Sequence, residues 1–122
     1  MATVEITQDN FDGIVGDDNI VILDFWADWC GPCQNFAPVF EASSDKHPDI
    51  IFGKIDTEAQ QDLAAEFQIR SIPTIAVIRD NVMVFRQSGA LPANALEQVI
   101  AQVRDLDMDK VRADIEEQKK KG

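Results

Sequence analysis

The chain has no apolar run near the roughly eighteen residues that a membrane span needs; residues 20–27 come closest, and Asp24 interrupts them. Residues 1–10 show neither a basic start nor an apolar stretch, so no secretory signal is read there and a cytoplasmic location is expected. Basic side chains are scarce, with 11 Lys and Arg against 22 Asp and Glu. The last nineteen residues hold six of each sign, so the excess of acid falls on residues 1–103, where the only cations are Lys46, Lys54, Arg70, Arg79 and Arg86. Such a surface has no basic stripe to replace phosphate counterions, which excludes nucleic-acid binding, and an anionic membrane would repel it. The net charge of −11 reads as solubility. Cysteine is scarce too: there are two, both in Cys30-Gly31-Pro32-Cys33. Cytosolic thiols are kept reduced, and so small a loop would gain only about 2 kcal/mol from chain entropy, so the pair is better explained by reactivity than by structure.

What remains is an ordinary globular composition, 45 % apolar and 27 % charged over 122 residues, enough for one domain with one core. The pattern predicts a short strand over residues 4–6 and a helix capped by Thr7 with Phe11, Ile14 and Val15 inward. Residues 20–26 are apolar at nearly every position, the mark of a strand buried on both faces. A helix follows from Cys33 to about Lys46, with Pro38 as an expected kink. Residues 50–55 read as a strand, and Asp56 or Thr57 as the cap of a helix carrying Leu63, Ala64 and Phe67. Strands over 74–78 and 82–87, joined by Arg79-Asp80-Asn81, must be antiparallel. A last helix over 92–106 points Leu96, Val99, Ile100 and Val103 inward. The order β-α-β-α-β-α-β-β-α predicts an α/β fold, a central mixed sheet of about five strands with helices on both faces. One domain is therefore expected over residues 1–106. The tail, 107–122, carries a weak helical stripe of Met108, Val111 and Ile115, out of phase with the preceding helix. A short extra helix on the domain or in solvent is the plainer reading of it, and partner binding the alternative.

Two thiols three residues apart at a helix start lie about one turn from each other, close enough to join. The first faces the positive end of the helix dipole and unpaired backbone N–H groups, which favour the thiolate; Cys30 is the expected nucleophile. Cys33, one turn inside and further from solvent, is the expected resolving thiol. Asp24 lies in the doubly buried strand, where lost hydration raises a carboxyl pKa. Such a group can take a proton from Cys33 and return it in the reverse direction.

Trp29-Cys30-Gly31-Pro32-Cys33 after an apolar strand with one Asp, followed by Ile72-Pro73-Thr74 and Gly89-Ala90-Leu91, resembles the thioredoxin family over about residues 4–106. Thioredoxins are the familiar illustration of a lowered cysteine pKa and of a reducing dithiol. The resemblance implies the thioredoxin fold over 1–106 and a general protein-disulfide reductase, working on disulfide-containing protein substrates as a monomer. It implies no bound cofactor, with electrons from NADPH delivered by thioredoxin reductase. It places Asp24 beneath Cys33 with Lys54 nearby; the alternative is a carboxylate whose only partner is Lys54, serving structure. It makes Pro73 cis, turning the Ile72 backbone toward the dithiol to pair with an extended substrate strand. Trp29, Gly31, Pro32, Ile72 and Gly89 would then form a flat contact surface. Trp26 is expected to pack under the active-site loop.

Gly31-Pro32 adds no charge that would stabilise the thiolate further, which favours a reductant over an oxidant. Gln34 stands where the family often has Lys or Arg, Ser71 where Gly is common, and Ser88 where Val is usual, so partner preference is open. His47 is expected in a solvated loop or helix end, and with Cys30 and Cys33 it makes no zinc pattern. Met83 and Met108 read as packing residues. A specialised member serving one partner, or a binding or chaperone-like module whose dithiol matters little, are the competing functions.

Overall fold

The structure, a computed structural model, describes residues 2–121. Five strands and five helices follow one another: β1 (Thr3–Glu5), α1 (Phe11–Ile14), β2 (Ile20–Trp26), α2 (Gly31–Lys46), β3 (Ile51–Asp56), α3 (Gln61–Glu66), β4 (Thr74–Arg79), β5 (Val82–Ser88), α4 (Ala93–Arg104) and α5 (Met108–Lys121). The strands form one sheet in the order β1-β3-β2-β4-β5. β3 runs parallel to β1 and β2, whereas β4 is antiparallel to β2 and β5, so the sheet is mixed as expected.

β2 and β4 lie inside the sheet with β3, and their burial explains their composition. From Val21 to Phe25 and from Thr74 to Ile78 every residue is buried, with neighbours above and below the sheet. Alternate residues of β2 divide between two cores. Ile22 packs with Phe36 and Phe40 of α2 and with Leu96, Ile100 and Val103 of α4. Val21, Leu23 and Phe25 pack on the opposite face with Leu63 of α3, Phe11 and Ile14 of α1, and Phe67. Each such aromatic or aliphatic side chain contributes about 1.5–3 kcal/mol on burial. Asp24 shares the face of Ile22, the side that α2 covers.

Several boundaries differ from expectation for local reasons. Asn10, rather than Thr7, is the N-cap of α1; Thr7 instead exchanges bonds with it, the Thr7 N–H donating to Asn10 Oδ1 at 2.7 Å and the Asn10 N–H to Thr7 Oγ1 at 3.3 Å. Asp56 Oδ1 accepts from the N–H groups of Glu58 and Ala59, which closes a turn, and α3 starts only at Gln61, leaving Phe67 at its C-cap. α2 begins at Gly31, before Cys33, and continues through Pro38. Asp80 and Asn81 both take positive φ, 53° and 66°, as a two-residue hairpin turn requires.

The tail is helical and docked at its start. Asp107 Oδ1 accepts from the N–H groups of Asp109 and Lys110 at 3.1 and 3.3 Å, opening α5, and Met108 is buried. Val111 and Ile115 face Val82, Met83 and Val84 of β5 across a gap of about 260 Å³. Met108 thus packs as expected; Met83 does not, being 43 % exposed on the outer strand. The turn between α4 and α5 is tied to the sheet by Arg79, whose Nη1 donates to the carbonyls of Val103, Leu106 and Arg104 at 2.7, 3.0 and 3.3 Å. A guanidinium there also complements the negative end of the α4 dipole.

Candidate functional site: the dithiol at the start of α2

Trp26 ends β2, Ala27-Asp28-Trp29 turns outward, and Cys30 is the N-cap of α2, with Pro32 in the first turn. Proline at that point removes no helix hydrogen bond, because the first N–H groups have no partner within the helix. Cys30 and Cys33 are joined in a disulfide, their Cα atoms 5.3 Å apart. The Cys33 N–H donates to Cys30 Sγ at 3.2 Å, and no acidic residue stands in the first turn. A thiolate at position 30 would therefore meet a backbone donor and the positive helix end, with no carboxylate in that turn opposing it. Whole-residue exposure does not distinguish the two cysteines, contrary to expectation: Cys30 is 4 % and Cys33 3 % exposed. Their difference lies in position along the helix and in their neighbours.

The loop before β4 comes up beside Cys30. Its Ile72–Pro73 bond is cis, and the Ile72 carbonyl oxygen lies 3.7 Å from Cys30 Sγ; with the sulfurs joined, this is proximity, not a hydrogen bond. Pro73 is buried and its carbonyl accepts from the Gly89 N–H at 2.7 Å. Gly89 has φ +98°, a conformation that L side chains rarely adopt, so glycine is required there by its backbone. Trp29, 70 % exposed, and Ile72 line an open groove of about 510 Å³ with Thr57, Gln61, Ala64, Ala65, Ile69, Arg70 and Ser71. Gly31 and Pro32, which follow Cys30, are exposed.

Asp24 is fully buried, and neither carboxylate oxygen has a hydrogen-bond partner among the described residues. Burial pushes its pKa up to about 7, with the positive charge of Lys54 opposing the rise. Lys54 is its register partner on β3, but its Nζ stands 5.0 Å from the ring centroid of Trp26, over the ring face. The end of β2 at the half-buried Trp26 is tied to the segment after β3: its carbonyl accepts from the Thr57 N–H and Oγ1, at 2.9 and 3.0 Å.

Sequence reasoning missed three contacts here. Glu58 Oε1 accepts from the Trp29 indole N–H at 2.8 Å, fixing the most exposed aromatic of the site. A carboxylate in the polar stretch after β3 gave no signal that it would reach 29 residues back. Gln34 donates from Nε2 to the Asp28 carbonyl at 2.6 Å, clasping the loop in front of the dithiol. His47 is at the end of α2, as expected, but it is not simply solvated. It stacks against Phe52, bonds Glu97 Oε1 through Nε2 at 2.7 Å, and meets Arg104 at Nδ1. An arginine can only donate, so Nδ1 accepts and Nε2 carries the proton. Among the described residues no group of three or more His, Cys, Asp or Glu side chains could hold a metal ion.

A mixed sheet with helices on both faces, and a redox-active Cys-x-x-Cys opening the helix after an inner strand, define a thiol–disulfide oxidoreductase. The thioredoxin family profile matches residues 2–102. The chain is 55 % identical over 117 residues to putative thioredoxin 2 of Streptomyces coelicolor, covering 96 % of this chain and 87 % of that one. It is 40 % identical over 100 residues to thioredoxin C-3 of Corynebacterium nephridii, covering 81 % and 69 %. The structure of Plasmodium falciparum thioredoxin superposes with a TM-score of 0.74 at 34 % identity, covering 80 % of this chain and 96 % of that one. This chain belongs to the thioredoxin family, and it is a dithiol–disulfide reductase of that family. The Streptomyces alignment reaches into the tail, whereas the Plasmodium chain is almost used up within four-fifths of this one.

Proposed function

We propose that the protein is a general reductant of protein disulfides, with Cys30 attacking and Cys33 resolving. The observation that carries this reading is the position of the Cys30–Cys33 pair: at the N-terminus of α2, beside the Ile72 carbonyl and an open groove. In the reduced protein the Cys30 thiolate attacks one sulfur of a substrate disulfide. The substrate S–S bond breaks, its other sulfur leaves as a thiolate, and a mixed disulfide remains on Cys30. Cys33 then loses its proton to Asp24, attacks Cys30 Sγ, and releases the second substrate thiolate. Two electrons have passed to the substrate and the disulfide described above remains.

Asp24 suits the proton transfer because its carboxyl titrates near neutrality, on the sheet face that α2 covers, and Lys54 favours the ionised form that accepts the proton. Ile72 offers a backbone carbonyl to an extended substrate, and Trp29, Gly31, Pro32, Pro73 and Gly89 frame the contact. Thioredoxin reductase, drawing on NADPH, would return the two electrons, so the chain itself needs no bound cofactor. This gives it a place in electron transport and redox homeostasis of the cytoplasm, as a monomer, with residues 1–106 as the catalytic domain and 107–122 as an appendage.

NADPH-coupled reduction of insulin with thioredoxin reductase tests the reading. Turnover by the wild type and its loss in Cys33→Ser are expected. Insulin reduction driven by dithiothreitol but not by the coupled system would replace the general carrier with one serving a dedicated donor. No insulin reduction by the wild type with either electron source would mark a binding module.

A further inference from the structure

Residues 1–103 hold five cations, and four are engaged. Lys54 stands over Trp26, Arg79 closes the end of α4, Arg86 bonds the carbonyls of Phe67 and Gln68, and Lys46 lies near Glu97 at the far end of α2. Arg70 is different. It is exposed, makes no hydrogen bond or ion pair among the described residues, and lines the groove beside the dithiol. The rest of that groove is uncharged, and Ala64, Ala65 and Ile69 give it small apolar walls.

An unpartnered guanidinium in a groove on a chain of net charge −11 has a consequence for selection. The excess of acid over residues 1–103 opposes an acidic substrate, whereas Arg70 attracts one carboxylate at one place. Substrate walls that displace water from the groove strengthen that attraction. The place is set by the chain: the Ile72 carbonyl is 3.7 Å from Cys30 Sγ, and Arg70 is two residues before Ile72. At about 3.3 Å per residue, that puts the Arg70 backbone within about 7 Å of the Ile72 backbone along the chain. We propose that Arg70 makes the groove selective for substrate segments carrying an acidic side chain two or three residues from the reactive cysteine. The proposal rests on the reductase reading and deepens it by naming a class of substrate.

The test uses reduced full-length protein and synthetic peptides, each carrying one cysteine in a mixed disulfide with 2-mercaptoethanol. The peptides differ only in placing Glu, Gln or Lys at each position within three residues of that cysteine. Second-order rate constants are followed by tryptophan fluorescence, with the small neutral bis(2-hydroxyethyl) disulfide as control. The wild type is expected to react about 3–5-fold faster with Glu than with Gln at one or two of these positions, and less so at high salt. Arg70→Gln should lose that preference, Arg70→Lys should retain part of it, and Arg70→Glu should favour the Lys peptide. Each variant's own rate with the neutral control disulfide serves as its reference, so that any change in the reactivity of Cys30 itself divides out of the peptide comparison. No Glu preference in the wild type, or one that persists in Arg70→Gln, overturns the proposal while control reduction leaves the reductase reading standing. A wild type inert toward the control disulfide overturns both.

Discussion

Asp24 and Lys54 face each other in the β2–β3 register, yet no hydrogen bond or ion pair joins them. The lysine has another neighbour, the ring of Trp26, and the carboxylate is left in the core with both oxygens unpartnered. An opposite charge within reach but not in contact moderates the rise in pKa without cancelling it, which leaves the Asp24 carboxyl titrating at about 7.

A stability effect of definite sign follows. The unfolded chain ionises Asp24 near 3.8, the native state only near 7, so between those values the native state binds the extra proton. Stability contributed by the neutral carboxyl is full below pH 3.8 and is lost as pH rises through 7. Above pH 7 the buried charge costs on the order of 4 kcal/mol. Asp24→Asn should therefore raise the urea midpoint at pH 8, more than at pH 5, and slow insulin reduction. An equal shift at both pH values would contradict the assignment. So would a reduction rate in the variant that matches the wild type across pH 6 to 9.

The two cysteines should separate chemically despite equal burial. After reduction, iodoacetamide near pH 7 should label Cys30 well ahead of Cys33, because only Cys30 faces the helix end. Cys33→Ser should accumulate mixed disulfides with substrates, and Cys30→Ser should form none. Mass spectrometry of the alkylated peptides distinguishes the order. Labelling of position 33 first would reverse the roles.

Glu58 is a positioning residue for the exposed Trp29. Glu58→Ala removes the acceptor for the indole N–H and should free the ring. Fluorescence anisotropy of Trp29, read in a Trp26→Phe background, should fall. Because the ring borders the substrate groove, kcat/KM for insulin should drop about 2–5-fold with kcat less affected, as expected for a weakened contact worth about 0.5–1 kcal/mol. Glu58→Gln, which still offers a carbonyl acceptor, should recover most of it.

Deleting residues 107–122 exposes what Met108 covers and leaves the Arg79–Leu106 bond at a free chain end. Loss of one buried methionine corresponds to about 2 kcal/mol, which in a domain of this size is a fall of about 5–10 °C in Tm. Disulfide reduction should be unchanged, since α5 lies along β5, away from the dithiol. Calorimetry and the insulin assay check the two halves of this expectation separately.

The doubly buried strand around Asp24, the Cys-x-x-Cys at a helix start and the antiparallel hairpin were legible in the sequence, because each depends on residues close together in the chain. Run length, thiol spacing and turn length are local properties, and backbone geometry converts them directly into structure. The dithiol, its chemistry and the class of fold follow from these. Tertiary structure alone decided the rest: that Glu58 holds Trp29, that Gln34 clasps Asp28, that His47 joins Glu97 and Arg104, and that Arg79 closes α4. It also decided that the two cysteines are buried alike and that Arg70 stands in the groove without a partner among the described residues. A polar side chain of three or more rotatable bonds carries no sequence mark of its partner. The partner is chosen only when packing of the two cores brings distant segments within hydrogen-bond reach.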